Sequence, residues 1–292
     1  MVISCYRVAF AVRKSLLFLT ANTITCRDFK ATEGRSMQLT HVRNATMIIE
    51  TAEHRILVDP MLGAKGSLSA VPTVADHHER NPLVDLSTPL ADLLDVDAVI
   101  VTHTHPDHWD EAAAALLPRR LPLVVQHEED AARMRESGFS DVRVLEASLD
   151  LFGATVTRTE GRHGSDEFLA AHPAMGEVSG FVFQAPGEPV VYVAGDTVWN
   201  DDVASALTDH TPDIVVLNAG EATWSTGDAI IMGADDVLRT HRALPHARIV
   251  AVHLEALNHC AVTRDQVRAL AAEHAITNLV HVPEDGERLT FA

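Results

Sequence analysis

Among 292 residues there are three cysteines, Cys5, Cys26 and Cys260, too few and too scattered for a disulfide framework. A reducing cytoplasm is therefore the expected setting. Basic charge is scarce as well. Lysine and arginine total 23 against 41 acidic residues, and the resulting formal charge of −18 repels a nucleic acid backbone rather than gripping it. No stretch approaches the roughly 18 consecutive apolar residues that a membrane helix needs; the run over 16–19 is bounded by Arg13, Lys14 and Thr20. Heptads, short-period repeats, low-complexity tracts and a glycine-rich dinucleotide fingerprint are all missing. What is present is a core-forming composition, 47% hydrophobic and 22% charged, which excludes a disordered or collagen-like chain. Histidine is the abundant special residue, with 17 copies of the commonest metal-binding side chain.

Residues 1–36 carry a net charge of +4, so the rest of the chain carries −22. That basic, acid-poor leader reads as a disordered extension, an upstream start or a targeting segment whose apolar part is short for a signal peptide. The domain is expected over 37–292. Short β-branched runs at 38–42, 46–51 and 55–58 read as an opening meander. Further strands are expected at 98–102, 121–125, 142–145, 155–159, 181–184, 190–194, 214–217, 249–253 and 278–281. Helical segments are expected at 109–117, 128–137, 202–209, 234–243 and 264–274, the last opening with Thr263 as its cap. Residues 60–92, rich in proline and glycine, form a long loop of the kind that usually serves binding. Strands interspersed with helices imply a layered α/β domain.

The strand Ala98-Val-Ile-Val-Thr102 runs straight into His103-Thr-His105-Pro-Asp107-His108-Trp109. A His-x-His-x-Asp-His string is expected roughly 0.005 times by chance in a chain of this composition. Nitrogen and carboxylate ligands suit Zn²⁺ and similar ions. In extended backbone His103 and His105 point the same way and can share one ion. Asp107 and His108, turning away, can then serve a second.

This motif after an apolar strand resembles the signature of the metallo-β-lactamase superfamily of metal-dependent hydrolases, over about residues 38–292. The resemblance implies a four-layer αββα sandwich with the site at one edge between the sheets. It also implies further ligands: His163 in Gly161-Arg-His163-Gly164, a bridging Asp196 in Gly195-Asp196-Thr197, and His253 at the end of Ile249-Val-Ala-Val-His253. His259 competes with His253 for the last position, and Gly195-Asp196 can also be read as a plain turn. Asp59, in Leu57-Val-Asp59-Pro60, matches the family's buried support for the ligand loop. Asp59-Pro60, 175–180 and Leu217-Asn218-Ala219-Gly220 resemble the branch containing L-ascorbate-6-phosphate lactonase. That branch often has Gly-His where this chain has Arg43-Asn44, so no role carries over to Asn44.

The implied chemistry is hydrolysis by a water acidified between two divalent ions, zinc first and manganese or iron as alternatives, with Asp107 handling protons. The substrate class is a small ester, lactone or phosphoester. A non-haem iron oxidoreductase of the same fold, resembling persulfide dioxygenases, and a phosphodiesterase are the competing readings. The partner is a small molecule rather than nucleic acid or membrane, with a homo-oligomer left open. Trp109, Trp199, Asn218, Glu221 and Trp224 are candidate pocket residues because they follow strands or ligands. His77, His78, His127, His172, His241, His246, His274 and His281 lack a motif and are expected to be solvated. Cys260 is expected to be a small buried side chain.

Overall fold

The computed structural model describes residues 36–74 and 77–291. The expectation for residues 1–36 therefore lies outside the described residues, Ser36 excepted. Two seven-stranded mixed sheets face each other. The first contains β1 (Met37–Arg43), β2 (Thr46–Glu50), β3 (Arg55–Val58), β4 (Ala98–Val101), β5 (Leu123–Val125), β6 (Val142–Val144) and β14 (Arg288–Phe291), in the order β14-β1-β2-β3-β4-β5-β6. Its meander half is antiparallel, and β3 through β6 run parallel. The second sheet contains β7 (Ser148–Leu151), β8 (Ala154–Glu160), β9 (Ser179–Gln184), β10 (Val191–Val193), β11 (Ile214–Asn218), β12 (Arg248–Val252) and β13 (Val280–His281), ordered β13-β12-β11-β10-β9-β8-β7. Here β10 through β13 are the parallel part.

Strand alternation divides the apolar residues between three cores. In β4, Ala98 and Ile100 enter the layer between the sheets, where they join Phe181 and Phe183 of β9 and Val250 of β12, while Val99 and Val101 turn outward. The outward face of the first sheet is covered by α1 (Leu90–Leu94), α2 (Glu111–Leu116) and α3 (Glu128–Glu136), through Leu93, Ala113, Ala131 and Met134. The second sheet is covered by α5 (Asp201–His210), α6 (Ala234–Ala243) and α7 (Arg264–Glu273), through Val203, Leu207, Val237, Val267 and Ala271. Helix α4 (Asp166–Ala171) caps a smaller apolar cluster with Phe168, Ala222, Ile230 and Ile231. The result is the four-layer αββα sandwich.

Several element ends differ from the expected ones, and each has a local cause. The strand expected to include Thr102 ends at Val101, because the Thr102 N–H donates to Asp59 Oδ1 at 2.7 Å instead of continuing the ladder. The strand expected through His253 ends at Val252, where His253 takes a left-handed φ of 60° and donates its N–H to Asn44 O at 2.9 Å. The helix expected from Trp109 starts at Glu111, capped by Asp110 accepting from Ala113 N at 2.7 Å. Strands β7 and β14 and helices α1 and α4 were not anticipated. Among the described residues, the interval from Asp59 to Pro89 holds no helix or long strand, as the composition of 60–92 implied. Among the described residues no helix is long and apolar enough to cross a membrane.

Candidate metal centre

The ends of four strands converge where the two sheets meet, the parallel β4, β10 and β12 and the antiparallel β8. His103, His105, Asp107 and His108 follow β4, His163 follows β8, Asp196 follows β10 and His253 follows β12. Placement at the carboxyl ends of strands is the usual location for sites in α/β sheets. The loop carrying Asp196 is forced into shape by Gly195, whose φ is 70° and whose hypothetical Cβ would lie 2.4 Å from Ser179 O.

Among the described residues, two donor groups form. His103, His105 and His163 offer one set of atoms, and Asp107, His108, Asp196 and His253 offer the other, the atoms of each set lying within 4.8 Å of one another. Asp196 Oδ2 sits between them: it is 3.2 Å from His108 Nε2, 3.6 Å from His163 Nε2, 3.7 Å from His253 Nε2 and 3.9 Å from His103 Nε2. Its other oxygen accepts from Asn218 Nδ2 at 2.6 Å, which fixes the carboxylate plane. His259 is not in either group.

The rings are aimed by groups behind them, as metal-ligating imidazoles require. Buried Asp59 accepts from His108 Nδ1 at 2.8 Å and from Thr102 Oγ1 at 2.8 Å, and that hydroxyl lies 3.1 Å from His103 Nδ1. One carboxylate thus orients a histidine of each group. His163 Nδ1 donates to Ile230 O at 2.7 Å, and His105 Nε2 to Met175 O at 2.9 Å. Asn44, to which no role carried over, donates to Asp107 O at 3.1 Å while its carbonyl accepts the His253 N–H. Asp59, Asn44 and His253 all have positive φ, at 45°, 53° and 60°, so backbone strain collects at the site.

Burial and charge shape the protonation of this cluster. Burial would raise the carboxyl groups of Asp196 and Asp107, yet the adjoining imidazoles outweigh it and hold both well below the usual carboxylate range. For His108, burial disfavours the cation, but Asp196, Asp107 and Asp59 together push it up to about 10. His253 is raised in the same way by Asp196. Burial dominates at His163 and at His259, both lowered to about 4. The donor set fits divalent ions. His108 Nε2 is fully buried without an aligned hydrogen bond, facing two carboxylates that it could serve as a co-ligand.

A cavity of about 860 Å³ opens onto Asp107, His105, His163 and Asp196. Its wall is mostly apolar, with Val71, Pro72, Met175, Trp224, Ile230 and Leu257, and no lysine or arginine among the described residues lines it. Of the candidate pocket residues, only Trp224 lines the cavity, and Asn218 acts behind Asp196. Trp109 instead packs edge-on to Phe139 at 5.7 Å, Trp199 lies under Arg239 at 4.7 Å, and Glu221 backs onto Gly233. These three follow site strands but point into the helix layers. Among the histidines expected in solvent, His77, His78, His246 and His274 are exposed, whereas His127, His172, His241 and His281 are half-buried. His127 caps α3, and His172 stacks on Phe168 at 4.3 Å and lines the cavity. Cys260 is half-buried, its thiol 3.5 Å from His253 Nδ1.

Residues 54–254 match the model of the β-lactamase superfamily domain. The chain belongs to that superfamily. It is similar to the isothiocyanate hydrolase from Delia radicum gut bacteria, with 44% identity, a TM-score of 0.84, and coverage of 87% of this chain and 99% of that one. It is also similar to a possible metal-dependent hydrolase from Veillonella parvula, at 40% identity and TM-score 0.85 over 87% and 99% of the two chains. The UPF0173 protein YddR of Bacillus subtilis is 41% identical over 87% of this chain and the whole of YddR. These relatives establish the superfamily and not the lactonase branch within it. With its His and Asp cluster, this β-lactamase superfamily member is a metal-dependent hydrolase.

Proposed function

We propose that the protein hydrolyses a small, neutral, apolar electrophile of the isothiocyanate type, using two divalent ions held by His103, His105 and His163 on one side and by Asp107, His108 and His253 on the other, with Asp196 between. The observation that carries this reading is the cavity itself, which opens on the cluster yet, among the described residues, adds no lysine or arginine to the metal ions for holding a phosphate or carboxylate. That wall argues against a phosphoester or phosphodiester substrate, and the likeness to an isothiocyanate hydrolase supplies a neutral alternative of suitable size. Bound metal ions would supply Lewis acidity and a water acidified toward neutral pH, zinc being the first candidate and manganese or iron the others.

The protein's own residues do the rest. The apolar wall orients the substrate and excludes bulk water, and Asp107, reaching the cavity, moves protons to and from the attacked group. An isothiocyanate and water give an amine and carbonyl sulfide, a change at one electrophilic carbon. Attack on a neutral ester or lactone carbonyl needs the same groups and is the second reading. A small molecule free in a reducing cytoplasm is the partner that the charge of −18 and the cysteine count support.

The test is turnover of phenyl and allyl isothiocyanates by protein purified without chelator, followed by loss of substrate and appearance of amine, with metal content measured on the same sample. Expected is turnover that chelation abolishes and added divalent metal restores. Turnover of neutral esters or lactones alone would overturn the isothiocyanate assignment in favour of the second reading.

A further inference from the structure

His259 enters the same cavity as Asp107, His163 and Asp196, yet it belongs to neither donor group. The residue is only 7% exposed, and its Nδ1 is buried with no hydrogen-bond partner, an arrangement that costs stability unless something else uses the ring. Its position is nevertheless built with care. Thr223 N donates to the His259 carbonyl at 2.9 Å. The preceding Asn258 has its side chain fully engaged, bonding Val71 N, Val71 O, His77 O and Asn81 Nδ2 at 2.8 to 2.9 Å. The backbone that carries the imidazole into the cavity is thus held in place on both sides.

We infer that His259 is a catalytic residue whose ring N–H hydrogen-bonds the substrate heteroatom on which charge develops during attack. This rests on the isothiocyanate reading above. As the water oxygen bonds to the central carbon, the C=N π pair moves onto nitrogen, and one water proton passes to the Asp107 carboxylate and from there to nitrogen. The second proton follows from the added hydroxyl as the C–N bond breaks, releasing amine and carbonyl sulfide. A donor fixed in place before the reaction stabilises the anionic nitrogen at no cost in reorganisation. Neutral imidazole offers one such donor.

The experiment compares wild type, His259→Ala and His259→Gln on phenyl isothiocyanates bearing electron-donating or electron-withdrawing para substituents. Expected for His259→Ala is a kcat lower by roughly 100-fold, a KM changed by under about threefold, and unchanged metal per chain by mass spectrometry. Its rate should also depend more steeply on the substituent, because the substrate must bear the charge unaided, and His259→Gln, which keeps an N–H, should recover part of both effects. Unchanged kcat and slope, or loss of metal from the alanine variant, would overturn the inference while leaving the isothiocyanate reading intact. If wild type turns over para-substituted phenyl acetates but no isothiocyanate, that reading falls and the same slope comparison on the acetates decides the role of His259. Turnover of neither class overturns both.

Discussion

A single oxygen, Asp196 Oδ2, lies 3.2 to 3.9 Å from four imidazole nitrogens contributed by both donor groups. Removing it should therefore affect two metal positions at once, whereas a terminal histidine serves one. Asp196→Ala is expected to lower metal content toward zero per chain and abolish turnover, while His253→Ala empties mainly one position; elemental analysis of both variants checks this. Near-normal turnover with two metals in Asp196→Ala would mean that the carboxylate bridges nothing. Behind the cluster, Asp59→Asn removes the acceptor that aims both His108 and, through Thr102, His103. Metal affinity or activity should fall by roughly 10 to 100-fold, measurable by competition with a chromophoric chelator. Protonation supplies a further check at this scale. In metal-free protein His108 is raised to about 10, so at neutral pH it holds a proton that an incoming ion must displace. Metal uptake near pH 7 should release protons into weak buffer, and apparent affinity should climb as pH rises above neutral. Uptake without proton release would contradict the charge balance described for the cluster.

At the level of elements, the site depends on how strands stop. Gly195, two residues past the end of β10, takes a conformation open to glycine and lies too close to Ser179 O for any side chain. Gly195→Ala is expected to destabilise by about 2 kcal/mol or more, seen as a lower midpoint in urea, and to lose metal because Asp196 moves. Asn258→Ala frees the loop around Val71 and should raise KM several-fold with metal content unchanged, read from steady-state kinetics and elemental analysis. Strands β4, β10 and β12 were legible because they are apolar and β-branched and lead within three residues to His103, Asp196 and His253. Strands β7 and β14 were not, since Ser148–Leu151 and Arg288–Phe291 are short and alternate with polar residues that gain their meaning only from the strand beside them. Helix α4 escaped notice for the same reason: its six residues are fixed by the Ser165 cap and by Phe168 against Ile230, a contact made across the fold. Asn44 and Asn258 could not be assigned work from their neighbours in sequence, because each acts on a segment far away along the chain, at Asp107 and at Val71. His259, weighed as a ligand in place of His253, enters the cavity outside both donor groups.

For the molecule as a whole, the donor groups draw on both sheets, so an ion bound there ties the halves of the sandwich together. Chelation should therefore lower the melting temperature, and saturating metal at 1,000 times its dissociation constant should add roughly 4 kcal/mol, followed by thermal denaturation with and without chelator. An unchanged melting temperature would mean that the cluster forms independently of the sheets' association. A layered α/β domain was readable from hydrophobic periodicity and the four-layer order from the family resemblance, whereas the cavity wall was not readable, being assembled from loops. That wall has a consequence of another kind. Leu68, Val71 and Pro72 reach the cavity from a loop that donates no group to the metal cluster, and the loop is moored by Asn258 instead. Inheritance can thus rewrite the shape of the chamber one residue at a time while the catalytic apparatus stays intact, so that descendants of one ancestor diversify in diet without relearning their chemistry.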